Sequence, residues 1–189
     1  MPSRSKSISL SVALLLASCF GGQACSAADE KTSCKQFVQS FYTWYLAKSK
    51  APAKNGTPDP LEVALKKRAV NFSPELTKRL KEDFAAAAKS PGEIVGLDFD
   101  PILNAQDCGD KYEAETVTTK GNSYLVDVVS TWNGKKESHA TVQPELVQIA
   151  GGKWQFVNFH YNVDNKKDDL LNVLKVLREE RAPKKKSRA

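Results

Sequence analysis

The fold is decided by residues 124–134, which read YLVDVVSTWNG. Tyr124, Val126 and Val128 alternate with Leu125, Asp127 and Val129, and a period of two predicts a β-strand that runs to Trp132. Asn133-Gly134 follows at once, and both residues tolerate the positive φ angles of a tight hairpin turn. The stretch therefore predicts a strand that turns back into an antiparallel sheet.

Two more strands are predicted beyond this turn. One covers about residues 137–149, where Pro144 implies a bulge or an edge position because proline cannot donate a hydrogen bond to a strand ladder. Gly151-Gly152 then turns the chain into a strand that contains Trp154 and Tyr161. Three consecutive strands of this kind form a meander.

Helical spacing dominates the rest of the chain. Apolar residues recur three or four positions apart in residues 33–48, from Leu61 onwards, from Ser73 to about Lys89 and from Asp168 to about Glu180, which predicts four helices. Ser73-Pro74 is a strong start signal, since a serine caps free amides and a proline fits the first turn. The first helix carries an aromatic stripe that is typical of a core-facing surface.

We therefore predict an α+β fold, with N-terminal helices packed on a curved antiparallel sheet meander and with a C-terminal helix. Residues 29–181 form one domain, long enough to bury roughly two thirds of its unfolded surface.

The N-terminus predicts export. Arg4 and Lys6 precede an apolar run over residues 8–17, and small residues follow, which is the layout of a signal peptide. The apolar run has about half of the ~20 residues that span a bilayer. Cleavage before Asp29 removes residues 1–28, whereas the alternative lipobox reading ends the signal at residue 18 and leaves Cys19 as a lipidated N-terminus. Both readings place the domain in the periplasm, free or anchored to the membrane through Cys19.

The cysteine count favours cleavage before Asp29. That cut leaves Cys34 and Cys108, an even pair suited to an oxidising compartment. Lipidation at Cys19 would leave three cysteines, one of them unpaired. The sequence therefore predicts a Cys34–Cys108 disulfide that closes a loop of about 75 residues.

The basic charge lies at the two ends of the chain. Of 28 Lys and Arg residues, Arg4 and Lys6 belong to the signal and four lie in the tail, residues 182–189; the remaining 22 balance the 22 Asp and Glu residues. A protein that binds nucleic acid would carry its excess positive charge on the folded domain. We therefore expect no nucleic-acid partner, and we interpret the tail as a basic, disordered end.

Three segments are similar to a bacterial family of exported proteins called domain of unknown function 3828: residues 38–46 (VQSFYTWYL), 72–76 (FSPEL) and 96–107 (GLDFDPILNAQD). Trp154 and Tyr161 fit the closing strand of that family. The resemblance implies a cystatin-like or nuclear-transport-factor-2-like shape, in which helices wrap a curved sheet that often holds a pocket. It implies no catalytic residue.

Polar residues concentrate between Asp98 and Asp110. The candidate polar site comprises Asp98, Asp100, Gln106, Asp107 and His160. One interpretation makes the carboxylates oxygen ligands for calcium, although their spacing does not match an EF-hand loop. The other interpretation makes them caps that accept backbone amides around Pro101. His160 is placed with the site because period two puts it on the same side as Trp154 and Phe156.

No catalytic motif emerges from the sequence. Neither His-x-x-x-His, nor Gly-x-Ser-x-Gly, nor a phosphate-binding glycine loop is present, so we expect no metal, no cofactor and no catalytic residue of these motif types. The leading hypothesis is an exported periplasmic binding or interaction domain whose partner is a small ligand or an envelope protein. The alternative is a small pocket enzyme that uses His160 or an aspartate of residues 98–107 as a general base.

Overall fold

The computed structural model describes residues 27–52, 58–90, 95–163 and 166–182. The helices are α1 (Ala27–Ser49), α2 (Pro60–Lys67), α3 (Pro74–Ala87) and α4 (Leu170–Arg181). The strands are β1 (Lys111–Lys120), β2 (Ser123–Trp132), β3 (Lys135–Lys136), β4 (Gln143–Ile149), β5 (Lys153–Val163) and β6 (Lys166–Asp169). This is the predicted α+β fold.

Capping side chains start three of the helices, and the predicted Ser73 cap is one of them. Asp59 Oδ1 accepts the amide of Leu61 at 2.7 Å before α2, and Ser73 Oγ accepts the amide of Leu76 at 3.2 Å before α3. Asp169 Oδ1 accepts the amide of Asn172 at 3.0 Å before α4. Each bond satisfies an amide that has no partner inside the helix.

The sheet is antiparallel, in the order β1-β2-β4-β5-β6, and β3 pairs with β2. Asn133 (φ 49°) and Gly134 (φ 76°) make the predicted hairpin turn between β2 and β3. Strand β1 was not predicted, and the strand expected over residues 137–149 is interrupted, with β4 beginning only at Gln143. A bulge follows Pro144, between Glu145 and Leu146, and the strand is internal rather than at an edge.

Helices α1, α3 and α4 contact the sheet, and an aromatic cluster fills the core. The ring of Phe41 on α1 lies 4.7 Å from that of Phe156 on β5, and the ring of Phe72 lies 5.7 Å from Phe156. Trp154 and Tyr45 are both buried. Trp44 is partly buried and carries the guanidinium of Arg68 over its ring at 5.0 Å.

The predicted disulfide is not formed, and both cysteines are free thiols. Cys34 is buried in the first half of α1, whereas Cys108 lines the same cavity as Ser49, at the end of that helix. The 15 residues between Cys34 and Ser49 in α1 correspond to about 22 Å at the helical rise per residue. A disulfide needs Cα atoms about 4.4–6.8 Å apart, so this pairing was the wrong inference from an even count.

The predicted signal and tail lie almost entirely outside the described residues. Ala27 and Ala28 form the start of α1, whereas Cys19 and residues 183–189 lie outside the described residues. Within the ranges that the structure describes, no helix has an apolar stretch long enough to cross a membrane.

Candidate functional site

The segment around Pro101 is a buried turn held by three tyrosine hydroxyls. Tyr42 donates to the carbonyl of Ile102 at 2.8 Å, and Tyr161 donates to the carbonyl of Pro101 at 2.9 Å. The third, Tyr45, donates to Asp100 Oδ2 at 2.8 Å. Because these hydroxyls come from α1 and β5, the turn is anchored to both the helices and the sheet.

Asp100 itself caps this turn. Its Oδ1 accepts the amides of Ile102 at 2.9 Å and Leu103 at 3.1 Å, which agrees with the capping interpretation of this residue. Burial raises the pKa of Asp100 to about 6, although hydrogen bonds from Tyr45 and the two amides act in the opposite direction. The carboxyl group therefore changes its charge close to neutral pH.

Beside this turn lies a cleft of about 380 Å³. We call it the acidic cleft because four carboxylates line it: Asp59, Asp98, Asp100 and Asp107. Asp100 is partly buried, whereas Asp98, Gln106 and Asp107 are exposed. The apolar walls come from α2, α3 and the segment after Gly96, and they comprise Leu61, Phe84, Leu97, Phe99 and Leu103.

The acidic cleft has no internal counter-charge. Its lining contains neither Lys nor Arg, and within the described ranges none of its four carboxylates forms an ion pair. Lys50, at the same end of α1 as Ser49, donates its ammonium group to the backbone carbonyl of Asp110 at 2.6 Å. Among the described residues, the cleft is therefore a concave surface lined by carboxylates that form no direct ion pair.

A buried ion pair fixes one wall of the cleft. Asp83, which is 3% exposed, accepts the amide of Leu97 at 3.0 Å and the guanidinium of Arg181 at 2.6 Å. Gly96 has a φ of 98°, and a Cβ there would lie 2.6 Å from Asp83 Oδ2. The carboxylate of Asp83 thus joins α3, the end of α4 and the segment that carries Asp98.

Tyr112 is a second buried polar group of the domain core. The hydroxyl of Tyr112 makes no hydrogen bond of ordinary geometry with the described residues, and the side chain is 2% exposed. Burial raises its pKa to about 12, although a hydrogen bond from the Gly109 amide lowers it; Cys108 and Asp100 raise it further. Tyr112 itself does not line the acidic cleft.

His160 does not belong to this site, contrary to the prediction. Leu146 pairs with Phe156 but Glu145 pairs with Asn158, so Val157 is an extra residue that reverses the alternation of β5. Phe159 and Tyr161 therefore enter the core, and His160 faces the other side of the sheet, where its Nε2 donates to Glu145 Oε2 at 2.6 Å.

The residues around His160 do not form a nucleophilic triad. Ser123 Oγ donates to Glu145 Oε1 at 2.6 Å, and Lys120 Nζ donates to Glu145 Oε2 at 3.2 Å. Serine and histidine therefore bind the same carboxylate, whereas a triad needs the serine to donate to the imidazole. Burial raises the pKa of Glu145, but the bonds from Ser123, His160 and Lys120 outweigh it and the net shift is downward.

The described chain offers no metal centre either. Within it, no group of three His, Cys, Asp or Glu side chains is arranged to hold an ion. Four of the five predicted site residues, Asp98, Asp100, Gln106 and Asp107, nevertheless meet at one cleft. Asp59 was not among the predicted site residues, although Asp59-Pro60 is a helix-start signal of the same kind as Ser73-Pro74.

The fold and the site define an α+β domain that carries an acidic cleft. No protein-family model and no curated protein matches the chain. A solved structure, the type VI effector–immunity complex Tae3–Tai3 from Ralstonia pickettii, contains a similar chain with 16% sequence identity and a TM-score of 0.46. The similarity covers 70% of this chain and 99% of that one. A likeness of this size carries no argument about function, and the resemblance to domain of unknown function 3828 stays a prediction.

Proposed function

We propose that this protein is an exported binding domain that holds a cationic group, from a small ligand or a protein partner, in the acidic cleft. One observation carries the proposal: four carboxylates line a concave surface that contains no basic side chain. A volume of about 380 Å³ falls within the usual range of ligand pockets, roughly 300–1,000 Å³.

The chemistry of the walls favours an organic cation. An ammonium or guanidinium group satisfies exposed carboxylates such as Asp98 and Asp107, and its alkyl stem packs against Leu61 and Phe84. A bare metal ion would need oxygen ligands that converge on one point. The cleft therefore suits a polyamine or the lysine and arginine side chains of an envelope protein.

Trilysine is a suitable first probe. We expect titration calorimetry to show that trilysine binds the complete exported chain. The affinity should fall as the salt concentration rises, because exposed charges are screened beyond about 10 Å at 0.1 M salt. A variant with Asp59, Asp98 and Asp107 changed to Asn should bind at least about tenfold more weakly, a loss of about 1.4 kcal/mol.

The matched control changes Glu137, Glu179 and Glu180 to Gln. These exposed residues lie outside the cleft, and the net charge of the protein changes by the same amount. Equal weakening in both triple variants would mean that trilysine responds only to net charge, and the proposal would be abandoned.

Export is the second part of the proposal and needs its own test. Intact mass spectrometry of the protein from the cell envelope distinguishes a chain that begins at Asp29 from a chain that begins at a lipidated Cys19. A full-length chain recovered from the cytoplasm would contradict export.

A second candidate function is a small pocket enzyme with Asp100 as the general base. The observation in its favour is that Asp100 lines the cleft and that burial raises its pKa to about 6, near the range a general base needs. Its three hydrogen bonds argue for a structural role instead. If the Asp100→Asn variant keeps a turnover that the native chain shows, this candidate is eliminated. If the variant loses that turnover but still binds trilysine, the candidate is favoured.

A further inference from the structure

The C-terminal end of α2 presents positive charge that has no acidic partner. Lys66, Lys67 and Arg68 follow one another there, and all three are exposed. Within the described ranges none of them forms an ion pair. The guanidinium of Arg68 lies over the ring of Trp44 at 5.0 Å, and this contact orients the side chain without neutralising its charge. Three adjacent cations are therefore held at one surface.

An exposed apolar side chain follows this basic run directly. Val70, in the 3₁₀ turn Ala69–Asn71, is 73% exposed, whereas Ile149 and Val176 are 38% and 42% exposed. The carbonyl of Val70 accepts the side-chain amide of Gln155 at 3.0 Å, which ties the turn to β5. A turn that exposes a valine beside three cations combines the apolar and basic groups of an interfacial membrane contact.

A groove between α2 and α3 extends the same surface. Its volume is about 420 Å³, its apolar lining comes from Leu65 and Phe84, and its cationic lining comes from Lys66 of α2 and Lys81 of α3. Lys81 is exposed and forms no ion pair among the residues that the structure describes. Glu62 is the acidic residue of the lining. The groove therefore offers apolar surface beside two ammonium groups.

We propose that these residues form a basic surface, comprising Lys66, Lys67, Arg68, Val70 and Lys81, that docks on the anionic headgroups of a phospholipid bilayer. Lysine and arginine donate charge-assisted hydrogen bonds to phosphate oxygens, and each such residue near an anionic bilayer adds to the attraction. Val70 enters the headgroup region, where its apolar surface leaves water. The inference goes beyond the binding function proposed above and does not involve the acidic cleft.

Vesicle sedimentation tests the inference with the complete exported chain. We expect the chain to bind vesicles of phosphatidylcholine mixed with phosphatidylglycerol, and to bind them more weakly as the salt concentration rises. Vesicles of phosphatidylcholine alone should not bind it. Changing Lys66, Lys67 and Lys81 to Gln should weaken binding to the mixed vesicles at least about tenfold. If the native chain does not bind the mixed vesicles, the inference is wrong.

The matched control changes Lys135, Lys153 and Lys175 to Gln. These exposed lysines lie on β3, β5 and α4, outside the groove. Every chain keeps residues 182–189, so the net charge and the basic tail are the same in the two triple variants. Thermal unfolding of both variants checks that the folded domain is unchanged. Equal weakening in the two variants would mean that the vesicles respond only to net charge, and the inference would be overturned.

Val70→Ser distinguishes a bilayer from a soluble anionic partner. Because Val70 is largely exposed, the substitution should leave the thermal unfolding of the chain nearly unchanged. We expect it to weaken binding to the mixed vesicles about fivefold, since the apolar side chain no longer leaves water on docking. If Val70→Ser binds these vesicles as tightly as the native chain, charge alone accounts for the binding. The surface would then suit an acidic polymer, and the bilayer inference would be wrong.

Discussion

At the scale of single residues, Asp100 unites the structural and the electrostatic features of the site. It caps the turn that carries Pro101, and it is the least exposed of the acidic residues between positions 98 and 107. The two roles are linked, because the burial that the turn requires is also what raises the pKa of the carboxyl group to about 6.

We expect this pKa shift to make the stability of the protein depend on pH. The folded chain binds the proton of Asp100 up to about pH 6, whereas the ordinary value is 3.8. The raised pKa of Asp100 therefore stabilises the folded state at pH values below about 4. This contribution to the free energy of unfolding, up to about 3 kcal/mol, is lost as the pH rises through 6.

Urea unfolding at pH 4 and pH 7 tests this prediction with Asp100→Asn. The free energy of unfolding of the variant should not fall with the titration of Asp100. The variant should therefore become more stable relative to the native chain as the pH rises. Asp107→Asn is the control, because that side chain is exposed. Identical pH profiles for the native chain and Asp100→Asn would contradict the assignment.

At the scale of secondary-structure elements, Asp83 joins α3, α4 and the segment after Gly96. Removing the charge of Arg181 would leave a buried carboxylate without its cationic partner, which is costly in a buried environment. The arrangement therefore ties the position of a cleft wall to the last turn of the C-terminal helix.

We expect Arg181→Met to destabilise the protein by about 2 kcal/mol. This is less than the full cost of breaking a buried ion pair, because the guanidinium keeps some contact with solvent. Arg178→Met is the matched control on the same helix. Arg178 is about half exposed and its guanidinium lies 3.9 Å from Glu82, so its loss should cost less than about 0.5 kcal/mol. Equal denaturation midpoints for the two variants would refute a special role for Arg181.

At the scale of the whole molecule, the two cysteines report on how α1 is placed. Cys34 is fully buried, and burial raises its pKa to about 12. Cys108 lies partly exposed at the cleft. Burial is the largest cause that raises the pKa of its thiol, and the charge of Asp100 raises that pKa further. The helix between them keeps the thiols apart.

We expect a chain cut before Asp29 to contain two free thiols. Ellman's reagent at pH 8 should react with one of them slowly in the native state, and Cys108→Ser should abolish that reaction. The other thiol should react only in denaturant, because the reagent must reach Cys34. Absence of any thiol in the denatured, unreduced chain would restore the predicted disulfide.

Much of the architecture was predictable because the signals are local. Ser73-Pro74 starts α3, and Asn133-Gly134 makes the hairpin turn; in both cases the preferred backbone angles belong to the residues themselves. Strand β1 escaped prediction because its exposed, largely polar residues give little apolar alternation. The clustering of Asp98, Asp100, Gln106 and Asp107 was predicted from their closeness in sequence.

By itself, the sequence determined the α+β class, the approximate positions of the four α-helices, and the location of the acidic segment. Only the tertiary structure decided that His160 leaves the site and that Cys34 and Cys108 do not meet. Only the tertiary structure brought Asp59 to the cleft. The reason is physical: propensities and turns act between neighbouring residues, whereas a bulge or a cleft depends on packing between segments far apart in the chain.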